Sequence, residues 1–325
     1  MSILIVGGAG FIGSNLATIL LEKGERVVVA DNLSRGNLSI LNNHFSSNLF
    51  DFRNVDISDG DQCHKLFDEF ARLHPFSEVW HLAANSDIPS GVSNPDIDFK
   101  DTFCSTFQLL KCMRRHGVGK LNFASSSAIY GDLGDSKISE DSGPLLPISN
   151  YGAMKLASEA ICSAAGESFL EFVNIFRFPN VVGVPATHGV ILDFFEKLKR
   201  TPGNLQVLGN GLQQKSYLHV VDLINAMLFV RENQDNVARV NPVNIGPIDD
   251  GVQVRWIAER LVERVGGAVN IEYGTENRGW VGDVPRFYYS VDKLTKLGWK
   301  PSLNSEEAII KAINEIAIQE GISSW

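Results

Sequence analysis

Apolar residues fall into two alternating rhythms through the first half of this chain. Residues 3–6 form an unbroken apolar run, as suits a strand covered on both faces. The run breaks into glycines, and beyond them Ile12, Leu16, Ile19 and Leu20 recur at helical spacing. The pattern then repeats. Residues 26–30, 48–55, 79–84, 121–125 and 172–178 read as strands, and 58–73, 96–116 and 150–165 as helices. Ser58 and Asp61 resemble a capping arrangement at the start of the first of those helices. The longest carries Phe99, Phe103, Phe107, Leu110 and Met113 along its length. Strand and helix in turn predict an α/β fold, a Rossmann-type doubly wound parallel sheet with right-handed crossovers.

Past Pro179 the rhythm changes. Residues 190–199, 254–265 and 306–318 read as helices, with another after the Tyr217–Asp222 stretch, while 243–245 and 269–273 read as strands. No repeat, charge block or low-complexity tether separates the halves, so a smaller C-terminal α/β domain is expected to interleave with the first. The expected division is 1–180, with 214–246 returning to it, against 181–213 and 247–325.

The first turn carries the clearest chemistry. Gly8-x-Gly10-x-x-Gly13 fits the dinucleotide fingerprint, and Gly7-x-x-Gly10-x-x-Gly13 its short-chain dehydrogenase variant. Such glycines permit a tight turn, close approach of backbone to a pyrophosphate, and close helix–strand packing; the helix N-terminus then faces the phosphates. Asp31 ends the second strand, where an acid receives the adenosine ribose hydroxyls. Tyr151 and Lys155 lie four apart near a helix start, which places phenol and ammonium on one face. The cation is expected to lower the phenol pKa toward proton transfer near neutrality. Taken alone, that spacing reads equally as a solvated helical face. Ser125-Ser126-Ser127 ends the fifth strand, at the edge where open α/β sheets bind ligands, and alone reads as a serine-rich turn.

Composition narrows the setting. With 325 residues there is room for two domains, and 44% apolar with 21% charged residues is ordinary for a soluble enzyme. A formal charge of −9 argues against general attraction to nucleic acid or to an anionic membrane. Cys63, Cys104, Cys112 and Cys162 are scattered without CxxC spacing, which predicts reduced thiols and no metal site. Met1 leads almost directly into the first strand, leaving no room for a signal peptide, and no apolar stretch approaches membrane-spanning length. A cytoplasmic protein is expected.

Taken together, several segments in order resemble the extended short-chain dehydrogenase/reductase family, and especially its nucleotide-sugar epimerases. They are residues 7–13 (GGAGFIG), 31–34 (DNLS), Asp56-Ile57, 81–84 (HLAA), 125–131 (SSSAIYG), Tyr151-x-x-x-Lys155 and 177–183 (RFPNVVG). The resemblance reaches Gly298-Trp299-Lys300-Pro301, nearly the whole chain.

It implies NAD held at Gly7, Gly10, Phe11, Ile12 and Gly13, with Asp31 and Asn32 at the adenosine ribose and Asp56 and Ile57 near adenine. Leu82, Ala83 and Ala84 would line the groove, and Asp31 would disfavour NADP. It assigns Ser126, Tyr151 and Lys155 to catalysis, with Lys155 also on the nicotinamide ribose. Ser126, Ser127, Asn180, Lys215, Tyr217 and Arg278 would face a nucleotide sugar. His81 and His219 would be structural. The first domain would bind NAD and the second the substrate. A homodimer paired through the helices at 96–116 and 150–165 is also implied. Two departures stand out. Ser127 and Ala128 replace the Asp-Glu pair of the family's dehydratases, and Lys215 stands where a diphosphate-binding arginine is usual, with Arg278 displaced by two positions from the second. The activity implied is epimerisation through a transient keto-sugar, or alternatively a net oxidoreduction, or, less in keeping with the catalytic set, NAD binding without catalysis.

Overall fold

The computed structural model describes residues 1–134, 137–276 and 288–322. Its central element is a seven-stranded sheet of β1 (Ser2–Val6), β2 (Val27–Asp31), β3 (Phe50–Asn54), β4 (Phe76–His81), β5 (Lys120–Ala124), β6 (Phe172–Arg177) and β7 (Val240–Asn244). The spatial order is β7-β6-β5-β4-β1-β2-β3, and β1 to β6 pair in parallel. The order reverses between β1 and β4, which creates the crevice where doubly wound sheets bind ligands. The continuous apolar strands are explained by cover on both faces. Leu16, Ala17 and Leu20 of α1 (Phe11–Glu22) are fully buried. Leu4, Val28, Val79, Leu121 and Val173 join one cluster with residues of α2 (Gly60–Leu73), α3 (Ser105–His116) and α4 (Asn150–Ser168).

Two local expectations are corrected. The cap of α2 is Asp59, whose Oδ1 accepts from the amides of Asp61 and Gln62, while the Ser58 hydroxyl turns back to Asp56. The helix expected over 96–116 is a composite, with a short turn at Pro95–Asp98, a π-helical segment at Phe99–Cys104, and then α3. The Thr102 carbonyl lies in the widened turn and accepts from the hydroxyls of Ser105, Thr106 and Ser158. These side chains compete with the regular helical ladder.

The chain divides into two compact units, one of 1–131, 144–177 and 227–243, the other of 132–143, 178–226 and 244–325. The segment returning to the first unit is 227–243, whereas 132–143 and 214–226 fall in the second unit. In the second unit Asn180–Val182 pairs with Tyr217–His219 and Asn204–Val207 with Asn270–Tyr273, both in parallel. Helices Val190–Arg200, Val254–Val265 and Ser305–Gln319 bury Phe194, Phe195, Leu261 and Ile309 in that unit's own core. Among the described residues no helix is long and apolar enough to cross a membrane.

Candidate active site

The glycine turn between β1 and α1 separates into glycines that packing requires and one that it does not. Gly7 has φ 82°, and a Cβ there would lie 2.6 Å from the Ala83 amide nitrogen. At Gly13 a Cβ would press on the Gly7 carbonyl and come within 2.6 Å of the Gly8 Cα. Gly10 is different, because a Cβ would meet nothing closer than the Gly7 carbonyl oxygen at 3.4 Å. Its bare backbone leaves space at the start of α1, where no side chain caps the helix. Open space before uncapped amides at a positive dipole end suits a pyrophosphate. These residues fit a dinucleotide.

Asp31, at the end of β2, is 8% exposed and accepts from the amides of Ala9 (2.9 Å) and Leu33 (2.8 Å). Burial pushes its pKa up while the two amides pull it down, and each oxygen keeps a lone pair for a hydroxyl donor. Asn32 Oδ1 accepts from the Ser34 amide. Asp56 is partly desolvated, but the Ser58 hydroxyl and amide and the Lys100 ammonium at 2.9 Å hold its carboxyl below the usual range. Ile57 is buried in the core cluster. Leu82, Ala83 and Ala84 follow β4, half-buried, with the Leu82 amide donating to the Val6 carbonyl.

Ser149 caps α4 by accepting from the Gly152 amide at 3.1 Å, which sets the first turn and presents Tyr151. A Cβ on Gly152 would lie 2.5 Å from the Ala128 carbonyl oxygen, so α4 begins directly against the turn that follows β5. That turn carries Ser126, which this contact places beside Tyr151, near enough for its hydroxyl to favour ionisation of the phenol. The Lys155 ammonium is buried, donates to the Ala124 carbonyl at 2.6 Å and sits 5.9 Å from the Tyr151 ring centroid. Serine, tyrosine and lysine are thus brought together.

The electrostatics correct the expectation of a lowered phenol. Burial dominates and pushes the Tyr151 pKa up to about 12, opposed by the nearby Ser126 hydroxyl and assisted by the negative charge of Asp98. Burial also lowers Lys155 to about 8. Tyr151 in this form is a protonated phenol.

Asn180, Lys215 and Tyr217 lie in the second unit. Asn180 opens a short strand and is exposed; Lys215 is half-buried on the antiparallel pair formed with Val252–Gln253. Tyr217 is 4% exposed within that unit's hydrophobic cluster. Arg278 lies outside the described residues, and Ser127 begins a 3-10 turn, Ser127–Tyr130, beside Ser126. His81 is fully buried, and His219 is bonded to Glu315 at 3.0 Å.

Sequence reading gave no role to Glu159, Arg177 and Tyr130. Arg177 Nε and Nη2 donate to the Glu159 carboxylate at 2.7–3.2 Å, and Arg177 Nη1 donates to the Tyr130 hydroxyl at 2.9 Å. The available signal was spacing, since Tyr151, Lys155 and Glu159 recur every four residues.

A phosphate-ready glycine turn together with a Tyr–Lys pair beside a strand-end serine defines a dinucleotide-dependent enzyme of the short-chain dehydrogenase type. Within that class the chain belongs to the NAD dependent epimerase/dehydratase family, which it matches over residues 3–246. It is 31% identical to the UDP-glucose 4-epimerase of Halalkalibacterium halodurans over 96% of this chain and 94% of that one. The solved Thermus thermophilus UDP-glucose 4-epimerase, in complex with NAD, is 30% identical, covering 97% of this chain and 98% of that one with a TM-score of 0.82. The Thermotoga maritima UDP-glucose 4-epimerase, solved with UDP-glucose, is 28% identical over 98% and 100%, with a TM-score of 0.85.

Proposed function

We propose that this protein is an NAD-dependent epimerase of a nucleotide-diphosphate sugar, most like UDP-glucose 4-epimerase. The observation that carries the reading is the convergence of Ser126, Tyr151 and Lys155 at the sheet edge that bears the glycine turn. The fit of Gly7, Gly10 and Gly13 to a pyrophosphate supports NAD at that turn, with Phe11, Ile12, Asn32, Asp56, Ile57 and Leu82 to Ala84 along its length. Bound NAD supplies the hydride acceptor and donor and, when oxidised, a positive charge. Tyr151 takes the proton of the sugar hydroxyl as its carbon is oxidised, and returns it when the carbon is reduced from the other face. Ser126 holds the reacting oxygen by a hydrogen bond. Lys155 binds the nicotinamide ribose and favours the phenolate that its buried setting otherwise opposes. Asn180, Lys215, Tyr217 and Arg278, with Ser127, serve the nucleotide sugar. The absence of the Asp-Glu pair at 127–128 favours epimerisation over dehydration.

The test is to incubate the protein with UDP-galactose and NAD and follow both the sugar and absorbance at the NADH band. Appearance of UDP-glucose without net NADH supports the epimerase; stoichiometric NADH supports net oxidoreduction instead.

The same reading includes a homodimer, with a second copy on the face containing α3. Phe99 and Phe107 are half-exposed there and stack on Phe103 between them, at 5.9 and 6.5 Å. An aromatic stripe of this kind is costly to leave in water. Light scattering at micromolar concentration should give twice the chain mass, and a monomer would reject the pairing. A cytoplasmic location accompanies this reading and is tested by fractionation.

A further inference from the structure

The segment that carries Ser126 is held at three points, and each holding group is buried. The Ala124 carbonyl accepts from Lys155 Nζ at 2.6 Å. The Ser125 hydroxyl donates to Glu159 Oε1. The Tyr130 hydroxyl accepts from Arg177 Nη1 at 2.9 Å, with the guanidinium 5.2 Å from the ring centroid. Ser126 lies between the second and third of these, its own hydroxyl accepting from the Ala128 amide. Glu159 and Arg177 join the last two points through a forked ion pair whose side chains are only 6% and 8% exposed. Tyr151, Lys155 and Glu159 share one face of α4, so one helix carries the phenol and two of the three anchors.

We propose that Glu159 and Arg177 are positioning residues of this site, fixing Ser126 opposite Tyr151 and keeping the Lys155 ammonium charged. The inference rests on the NAD-dependent reading of the site. A buried ion pair adds little net stability, because desolvation offsets its attraction. The distinctive effect of this one is geometric and electrostatic. The groups that face Lys155 leave Glu159 as its partner in charge. On the same helix the Cys162 thiol is pushed up by burial and stays protonated. On β4 His81 is pushed down to about 3 and is neutral. On β5 Lys155 meets the Phe123 ring and the Ala124 carbonyl, neither of which carries a charge. The positive charge of Arg177, on β6, is opposed by the same Glu159 carboxylate. Without Glu159, Lys155 and Arg177 both lose the carboxylate whose charge acts on each of them.

The experiment compares wild type with Glu159→Gln, Arg177→Lys and Tyr130→Phe, each checked for folding by circular dichroism. NAD affinity is measured by calorimetry from pH 6 to 9.5, and kcat and KM for UDP-galactose are measured at neutral pH. In Glu159→Gln the alkaline fall of NAD affinity should move to lower pH by about one unit or more, as loss of an adjacent opposite charge does. Tyr130→Phe should leave that limb in place and lower kcat by about 10- to 100-fold with KM little changed, as misplacement of a reacting group does. Arg177→Lys keeps the charge but loses the fork, and should resemble Tyr130→Phe. If Glu159→Gln fails to fold, Ser125→Ala, which removes one hydroxyl, takes its place in the kcat comparison. Folded variants with the wild-type pH limb and wild-type kcat would overturn the proposal alone. A wild type that does not bind NAD would overturn the reading of the site beneath it.

Discussion

His81 should make the protein acid-sensitive in a way that one substitution removes. Its ring ends β4 at 0% exposure, with Nε2 bonded to Thr106 Oγ1 at 3.0 Å and Nδ1 without a partner among the described residues. Burial, and then the positive charge of Lys155, push its pKa from 6.5 down to about 3. The unfolded chain binds a proton at this residue near pH 6.5, whereas the native chain resists until about pH 3. The neutral ring therefore contributes stability that is fully present above pH 6.5 and drains away as pH falls toward 3. At about 1.4 kcal/mol per pH unit, the loss from this group reaches about 2 kcal/mol by pH 5. Urea midpoints at pH 7 and pH 5, read by circular dichroism, measure it. His81→Asn should be less stable than wild type at pH 7 but should lose distinctly less on going to pH 5. His44 and His116 are also lowered, chiefly by burial, but they are common to both proteins and cancel in the difference. An equal drop in wild type and variant would refute the reasoning.

Gly7 and Gly10 should separate stability from binding. Gly7→Ala combines a φ of 82° with backbone contact and should lower both Tm and NAD affinity, whereas Gly10→Ala should leave Tm nearly unchanged while weakening NAD binding at least tenfold in calorimetry. NAD should raise Tm more than NADP at equal concentration, because the buried Asp31 repels a 2′-phosphate, and Asp31→Ala should narrow the gap in a thermal-shift assay. Lys215→Ala should raise KM for UDP-galactose several-fold with kcat little changed in steady-state kinetics; an unchanged KM would leave Lys215 as a surface charge.

The parallel sheet was legible because its strands are covered on both faces and so read as plain apolar runs. The glycine turn was legible because backbone geometry and close approach demand particular residues at fixed spacing. What escaped depends on contacts distant in sequence. The run that continues through Leu82 to Ala84 extends past the end of β4 at His81, since these residues leave the sheet to cover the turn at Gly7. Val220 belongs to a helix that starts directly after Tyr217–His219, because its apolar side chain suits either element. Asp59 outcompetes Ser58 as a cap because Asp56 engages the serine hydroxyl first. The raised phenol of Tyr151 and the Glu159–Arg177 pair were invisible for one reason. A spacing of four shows which side chains share a helical face, but not whether that face meets water or the interior.

The central claim is that Tyr151 exchanges the proton that accompanies oxidation of the sugar. Tyr151→Phe keeps the ring and leaves the glycine turn untouched, so folding and NAD binding should survive. Without the hydroxyl, oxidation of the alcohol carbon would have to form a protonated carbonyl. The decisive measurement is the single-turnover rate of NAD reduction on mixing NAD-loaded protein with UDP-galactose, read by absorbance for wild type and Tyr151→Phe. General acid–base catalysis is worth about 100- to 10,000-fold, and the variant should be slowed by at least that order. A folded, NAD-loaded Tyr151→Phe protein that reduces its cofactor at near the wild-type rate would contradict the account.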